Sequence, residues 1–413
     1  MLGFGKFFTA STIKAAGTGF YYPFSLLFFA AVLDTSYAQV GAVLTVSNFL
    51  ALPLLPLVGR LVDYAGGKIS LIATLLVRSS TFILVIAWPS VGTFVVVAVL
   101  NAVATRADAV AMPILCVELF SRERMVPRWL AVHRATFNLG FGIGTIAAGT
   151  LVSLNAGTVG KIGFIVAAAF TISAGLFAPL KTSRQTTTSE PWSSKPLPSI
   201  KSTRRGFMRG VDLRYGLLTV VSSVAAATGL FLESLLAPYL LAHTPAPAWL
   251  AGVLLALNTA LLALLFVPLE GIIGRRRQIR ALRLSLILVI GGLASVPIVG
   301  VGGPAVWVAV VVLSFGIIVY SFGELISTQV LGVLLATLPE PEHRGSALSF
   351  GQLVGGAVAA LVPWLTGLVL DTNSGWLWVA VLVPMMLAVA ITSAPALRTR
   401  LDVPVADVVR TNG

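Results

Sequence analysis

The feature that most constrains this chain is a series of long apolar stretches separated by short polar ones. They fall near 8–32, 38–58, 69–88, 92–117, 129–153 and 161–180, then near 215–241, 248–268, 283–303, 305–337, 346–370 and 375–396. About 20 predominantly apolar residues cross a bilayer core as a helix, and these stretches approach or exceed that length. Backbone in hydrocarbon must satisfy its own N–H and C=O groups, which leaves helices or a closed barrel. A barrel would show alternating segments of about ten residues; these runs are continuous, so twelve transmembrane helices are expected. The composition agrees, with 57% hydrophobic and 10% charged residues among 413 and a mean hydropathy of +0.95. That balance excludes a water-soluble enzyme, a nucleic-acid-binding domain and a disordered chain.

The formal charge of +13 is explained by where the basic residues sit. One set of loops holds Arg60 and Lys68, then Arg122, Arg124 and Arg128, then Arg275, Arg276, Arg277 and Arg280, then Arg344. The central segment and the tail add Lys181, Lys195, Arg204, Arg398 and Arg400 on the same side, whereas the opposite loops carry Lys161 as their exception. By the positive-inside rule the basic side is cytoplasmic. Both termini then lie inside a cell membrane, with anionic lipid headgroups as further partners of the basic loops. The N-terminal segment, with Lys6 ahead of an apolar run, reads as a retained helix because no small-residue cleavage site is evident.

The lone cysteine, Cys116, excludes a disulfide framework and a cysteine metal cluster and is expected to pack as a small apolar residue. His133, His243 and His343 are dispersed. The run Asn155-Ala156-Gly157-Thr158-Val159-Gly160-Lys161-Ile162 lacks the first Gly and the final Ser or Thr of a phosphate-binding loop. No metal, cofactor, nucleotide or nucleic acid is therefore expected as a partner, and no enzymatic activity; the expected form is a monomer.

Residues 181–214 are rich in Ser, Thr, Pro and basic side chains and read as a cytoplasmic linker between six-helix halves at 1–180 and 215–413. The halves repeat. Thr18-Gly19 recurs as Thr228-Gly229 and Asn48 as Asn258; Arg128, Ala131 and Gly140 match Arg344, Ala347 and Gly356, and the same offset sets Asp108 opposite Glu324. Parallel repeats with a site at their interface near the midplane are the layout of a rocking secondary transporter.

The segment Gly59-Arg60-Leu61-Val62-Asp63-Tyr64-Ala65-Gly66-Gly67-Lys68 resembles the loop signature of the major facilitator superfamily, with Tyr64 and Gly67 at two of its usual basic positions. Glu270-Gly271 to Arg277 resembles its second-half relative, and Arg106 resembles the family's intramembrane arginine. In span five, Gly140-Phe141-Gly142-Ile143-Gly144-Thr145-Ile146-Ala147-Ala148-Gly149 resembles the glycine-rich antiporter signature, with Thr145 at its usual Pro. Together with Gly323-Glu324 and Glu342-His343-Arg344-Gly345, these residues are similar to the drug–proton antiporter branch. The resemblance implies an all-α fold of two pseudo-symmetric six-helix bundles. It also implies a gating role for Gly59, Asp63, Gly66 and Lys68, with Asp63 latching a facing helix N-terminus. Gly140, Gly144 and Gly149 would either guide coupling or simply let a neighbouring helix approach.

Ionisable groups within the apolar spans are the other strong signal: Arg78, Arg106, Asp108, Glu233 and Glu324. Each costs about 2.5–3.5 kcal/mol at a helix centre, so they face an interior and either pair or mark a substrate or proton path. Asn101, Thr105, Asp108 and Met112 share one helix face, whereas Arg106 is two residues from Asp108 and points about 200° away. The two are thus expected not to point into one cavity together, and Asp108 is expected to pair across helices, with Arg78 a candidate, or to line a second face. Glu324 is the leading proton carrier. Tyr22, Asn101, Tyr320 and Phe322 are candidate substrate-lining residues, with interfacial anchoring or plain packing as the other reading of the aromatics.

The expected function is proton-coupled efflux of a small hydrophobic or amphiphilic molecule by alternating access. A proton-coupled importer of a nutrient or metabolite is the alternative, and a non-transporting membrane sensor or membrane enzyme a third. The latch reading makes a prediction: Asp63→Asn abolishes transport while the protein still reaches the membrane, and unchanged transport removes the assignment.

Overall fold

The computed structural model describes residues 2–119, 126–154, 160–182, 212–247, 249–273, 278–339, 344–372 and 375–393. The linker beyond residue 182, the basic clusters at 122–124 and 275–277, the 155–159 run, Glu342-His343 and the tail lie outside them, as do the side chains of Asp63 and Arg128.

Every regular element among the described residues is helical: α1 Leu2–Tyr21, α2 Ser25–Leu33, α3 Tyr37–Ala51, α4 Leu55–Ala65, α5 Gly67–Ala87, α6 Val91–Leu119, α7 Val126–Leu154 and α8 Ile162–Phe177. After the linker come α9 Leu213–His243, α10 Trp249–Ile273, α11 Gln278–Gly302, α12 Val306–Thr337, α13 Arg344–Thr372 and α14 Gly375–Ser393. Short 3-10 turns at Tyr22–Phe24 and Leu52–Leu54 join α1 to α2 and α3 to α4, each with a proline in its first positions. Proline lacks the N–H of a continuing helix, so each pair is one rod bent at a defined point. Nine of the described spans are long and apolar enough to cross a membrane, and Ile162–Phe177, Trp249–Leu265 and Val381–Thr392 are shorter apolar helices. The chain is an all-α, multi-pass membrane protein.

Neighbour relations repeat along the chain. In the first half α1 packs on α7 and α5 on α6 and α8; in the second, α9 packs on α13 and α11 on α12 and α14. The halves meet chiefly through α3 with α13 and α7 with α10. Small residues carry these crossings: a side chain at Gly41 would strike the Pro363 backbone, one at Gly367 the Tyr37 backbone, and one at Gly252 the Ile146 backbone. Small residues let backbones approach where lipid supplies no hydrophobic drive.

These contacts lie between mid-span and one end, the end bearing Tyr37 and Asp371. There the Asp371 carboxylate accepts hydrogen bonds from the N–H groups of Tyr37 (3.0 Å) and Ala38 (2.7 Å), the first turn of α3. A carboxylate suits a helix N-terminus because it meets free donors and the positive end of the dipole. Ser153 Oγ likewise accepts from the Trp249 N–H at 3.0 Å, joining α7 to α10.

The structure corrects the reading of 59–68 as a loop. Helix α4 continues to Ala65, and the break is Gly66, whose φ of 83° is a left-handed value suited to glycine. Nothing in 60–65 breaks a helix, so it runs until the Gly-Gly pair stops it. Gly59 faces open space; the close approach is at Gly67, where a side chain would strike the Ala111 to Leu115 backbone of α6.

The closure at the Asp371 end makes a prediction. Asp371→Ala removes two acceptors worth on the order of 1 kcal/mol together. Spin labels at the exposed positions Val91 and Trp307, at the same end, are expected to move apart in a larger fraction of molecules. An unchanged distance distribution means the clamp does not hold that end closed.

Candidate functional site

The two halves enclose a cavity of about 680 Å³, lined by α1, α2, α3, α5, α6 and α7 on one wall and by α9, α10, α12 and α13 on the other. It reaches from Pro363 and Ser25 in the closed region down to Lys14, Pro113 and His133 toward the basic end. A few hundred to a thousand Å³ is the usual size of a small-molecule site.

The first-half wall is built around Asp108. Lys14 Nζ sits 2.8 Å from one carboxylate oxygen and 3.0 Å from the other, and Arg78 Nη1 lies 3.9 Å away. Arg78 is held in place by Asn101, whose Oδ1 accepts from its Nε at 3.3 Å, and by Phe170, whose ring centre is 4.2 Å from the guanidinium carbon. The Lys14 and Arg78 side chains are each 4% exposed and Asp108 15%. The expected Arg78 partnership is present, but Lys14 is the closer partner and was missed. The signal was available: a lysine inside an apolar span is as costly there as Arg78.

Arg106 also lines the cavity, on the same wall as Asp108. This corrects the expectation that the two could not share one. The long, flexible arginine stem lets the charge reach a cavity that its backbone direction alone would not predict. Arg106 forms no ion pair among the described residues, and its Nε is buried with no hydrogen-bond partner. Its Nη1 reaches toward Gly356 of the second half.

The second-half wall is different. Glu324 Oε2 accepts from Asn258 Nδ2 at 2.9 Å, and Asn258 also donates to Ser321 Oγ at 3.0 Å. The Tyr320 hydroxyl lies 3.3 Å from the Thr228 hydroxyl, behind the Glu324 carboxylate and beside Gly229. Glu233 lines the same wall. Neither glutamate forms an ion pair among the described residues, and the residues lining this wall include no base. Asp108 and Glu324 thus occupy matching positions in the two halves with opposite surroundings, one charge-compensated and the other hydrogen-bonded to the neutral amide of Asn258.

Tyr22 and Asn101 line the cavity; Tyr320 and Phe322 do not. Tyr320 is fully buried behind Glu324, and Phe322 is 37% exposed. Phe322 is two residues from Glu324 and so turns to the far side of α12. Of the span-five glycines, Gly142 faces Ala256 of α10 at the half–half contact, whereas Gly140 and Gly144 lie at another contact. Side chains at Gly140 and Gly144 would strike the α1 backbone at Thr12 and Ala16, within the first half. Thr145 adds a hydroxyl that donates toward the carbonyls of Gly19 (3.0 Å) and Phe141 (2.9 Å). Gly149 is buried on the same helix.

At the basic end, Glu118 was also missed. Its carboxylate accepts from the Gly67 N–H at 2.7 Å and lies 3.4 Å from the Lys68 nitrogen, capping α5. Lys68 Nζ donates to the Leu180 carbonyl at 2.8 Å, tying the start of α5 to the end of α8. These two anchors fix the Gly66 turn within the first half. Asp63 lies in α4, three residues before that turn.

A sequence model of the Major Facilitator Superfamily matches residues 7–331. No curated protein matches the chain in sequence. Among solved structures, the nucleoside transporter NupG superposes with a TM-score of 0.72 at 14% identity, covering 95% of this chain and 98% of that one. A bacterial homologue of the human lysosomal transporter Spinster, inward-facing and unoccupied, gives 0.69 at 12% identity, with 95% of each chain covered. An auto-inhibited peptide transporter of the POT family gives 0.66 at 14%, with 97% of each covered. At such identities the likeness is one of fold.

Breaking a buried ion pair from one side is expected to destabilise more than removing both partners. Asp108→Leu leaves Lys14 and Arg78 buried without a counter-charge and lowers stability by on the order of 3 kcal/mol, and adding Lys14→Met recovers part of the loss, read by thermal unfolding of purified protein. Equal losses in the single and double variants remove the pair as a stabilising unit.

Proposed function

The chain belongs to the Major Facilitator Superfamily, and on that basis we propose that it is a secondary active transporter that exports a small amphiphilic molecule in exchange for protons. The observation carrying this reading is the contrast between the two walls. A proton placed on Asp108 must compete with Lys14 at 2.8 Å. One placed on Glu324 or Glu233 breaks no ion pair. Glu324 is therefore the proton carrier, Asn258 positions it, and Glu233 is a second acidic group on the same wall. Loading and release follow as the cavity is wetted from alternate sides of the membrane.

The two six-helix units are taken as 1–180 and 215–413, joined by the linker, and the repeated neighbour relations support that division. With the basic loops on the cytoplasmic side of a cell membrane, the closed Asp371 end faces out and the cavity opens inward. Rocking about the α3–α13 and α7–α10 crossings then exchanges the open side. Asp63, at the basic end of α4, is the latch for the opposite state. The energy suffices: about 2.3 kcal/mol per charge through 100 mV and about 1.36 kcal/mol per pH unit sustain a gradient of roughly a hundredfold or more. The drug–proton antiporter resemblance supports export. Proton-coupled import of a polar metabolite is the second reading, favoured by the amide side chains Asn48, Asn101, Asn138 and Asn258 in the cavity. The monomer remains the proposed unit because each chain holds a whole cavity.

In proteoliposomes, Glu324→Gln is expected to abolish solute movement driven by a pH gradient while leaving solute–solute exchange. Gradient-driven flux at the parent rate overturns the assignment. The sign of solute accumulation in expressing cells separates the two directions.

A further inference from the structure

The ionisable groups around the cavity are sorted by half. Lys14, Arg78 and Arg106 stand on the first-half wall with Asp108 as their one acidic neighbour, whereas Glu233 and Glu324 stand on the second-half wall. Asp108 is occupied by Lys14 and Arg78. That leaves Arg106 without a carboxylate and with its Nε buried and unbonded, facing a wall whose two acids have no cation among the described residues. His133, Tyr21 and Tyr22 are the remaining titratable groups of the first-half wall.

An uncompensated guanidinium at membrane depth is costly, and a guanidinium binds planar anions such as carboxylates through paired N–H donors. We propose that the solute is zwitterionic: a carboxylate or similar anion docks on Arg106, and a protonated amine docks on Glu233 and Glu324. Its apolar body lies between, against Phe137, Phe141 and Leu230. Such a solute bridges the two halves, so it draws them together around itself and couples binding to rocking. Protons compete with its amine end alone, which gives exchange a physical basis. Arg106 fixes the anionic end throughout and takes no proton in the cycle. The inference rests on the carrier reading above and narrows its substrate class.

The test uses the purified full-length protein and matched aromatic solutes in four forms: the free amino acid or dipeptide, its methyl ester, its N-acetyl derivative, and the doubly blocked compound. Binding is read by thermal stabilisation and transport by competition for uptake into proteoliposomes. The free zwitterions are expected to bind roughly tenfold or more tightly than either singly blocked form. Arg106→Gln is expected to erase the preference for the free form over the ester. Glu324→Gln is expected to erase the preference over the N-acetyl form, and each leaves the other preference in place. If doubly blocked compounds are carried as well as the zwitterions, or if Arg106→Gln leaves the ester ratio unchanged, the proposal falls while the carrier reading stands. If no form binds and no flux follows a pH gradient, both fall.

Discussion

A charged side chain inside a bilayer must meet a counter-charge, a hydrogen-bonding group or water, and this one requirement organises the centre of the molecule. In the first half it is met by packing α1, α5 and α6 so that Lys14 and Arg78 close on Asp108. Asn101 and Phe170 then fix Arg78 from two sides. In the second half the equivalent acid is given an amide and a buried tyrosine instead of a cation. The first arrangement is rigid and self-contained. The second leaves a carboxylate that no cation among the described residues neutralises.

The contacts between the halves are of another kind. They are backbone crossings at small residues, Gly41 with Pro363 and Gly252 with Ile146, reinforced by Asp371 on the first turn of α3. Such surfaces hold by fit and a few hydrogen bonds. They are suited to opening and closing. The Gly140 and Gly144 contacts with α1 lie within one half and are buried in its packing, so they keep that half rigid as it moves.

Reading the sequence along its helices gave some positions and lost others for a geometric reason. Phe322 was grouped with Glu324 because they are neighbours in the chain, yet a helix turns 100° per residue and the two face opposite ways. The same turn set Arg106 apart from Asp108 on paper, but a long flexible side chain and a wide cavity bring both charges to one wall. The signature at 59–68 predicts a loop; without a breaker before Gly66 the helix simply continues. Lys14 and Glu118 went unnoticed as partners because their partners, Asp108 and Gly67, are 94 and 51 residues away.

The sequence by itself determined what depends on composition and order: helical spans, a basic and a non-basic side, two related halves, and the identity of the groups too costly to face lipid. These follow from transfer energies and helix periodicity, which act locally. Only the tertiary structure decided which acid is neutralised and which is left with neutral partners. That choice depends on distances of 3–4 Å between side chains on different helices, set by how small residues let those helices approach. No local rule fixes such distances.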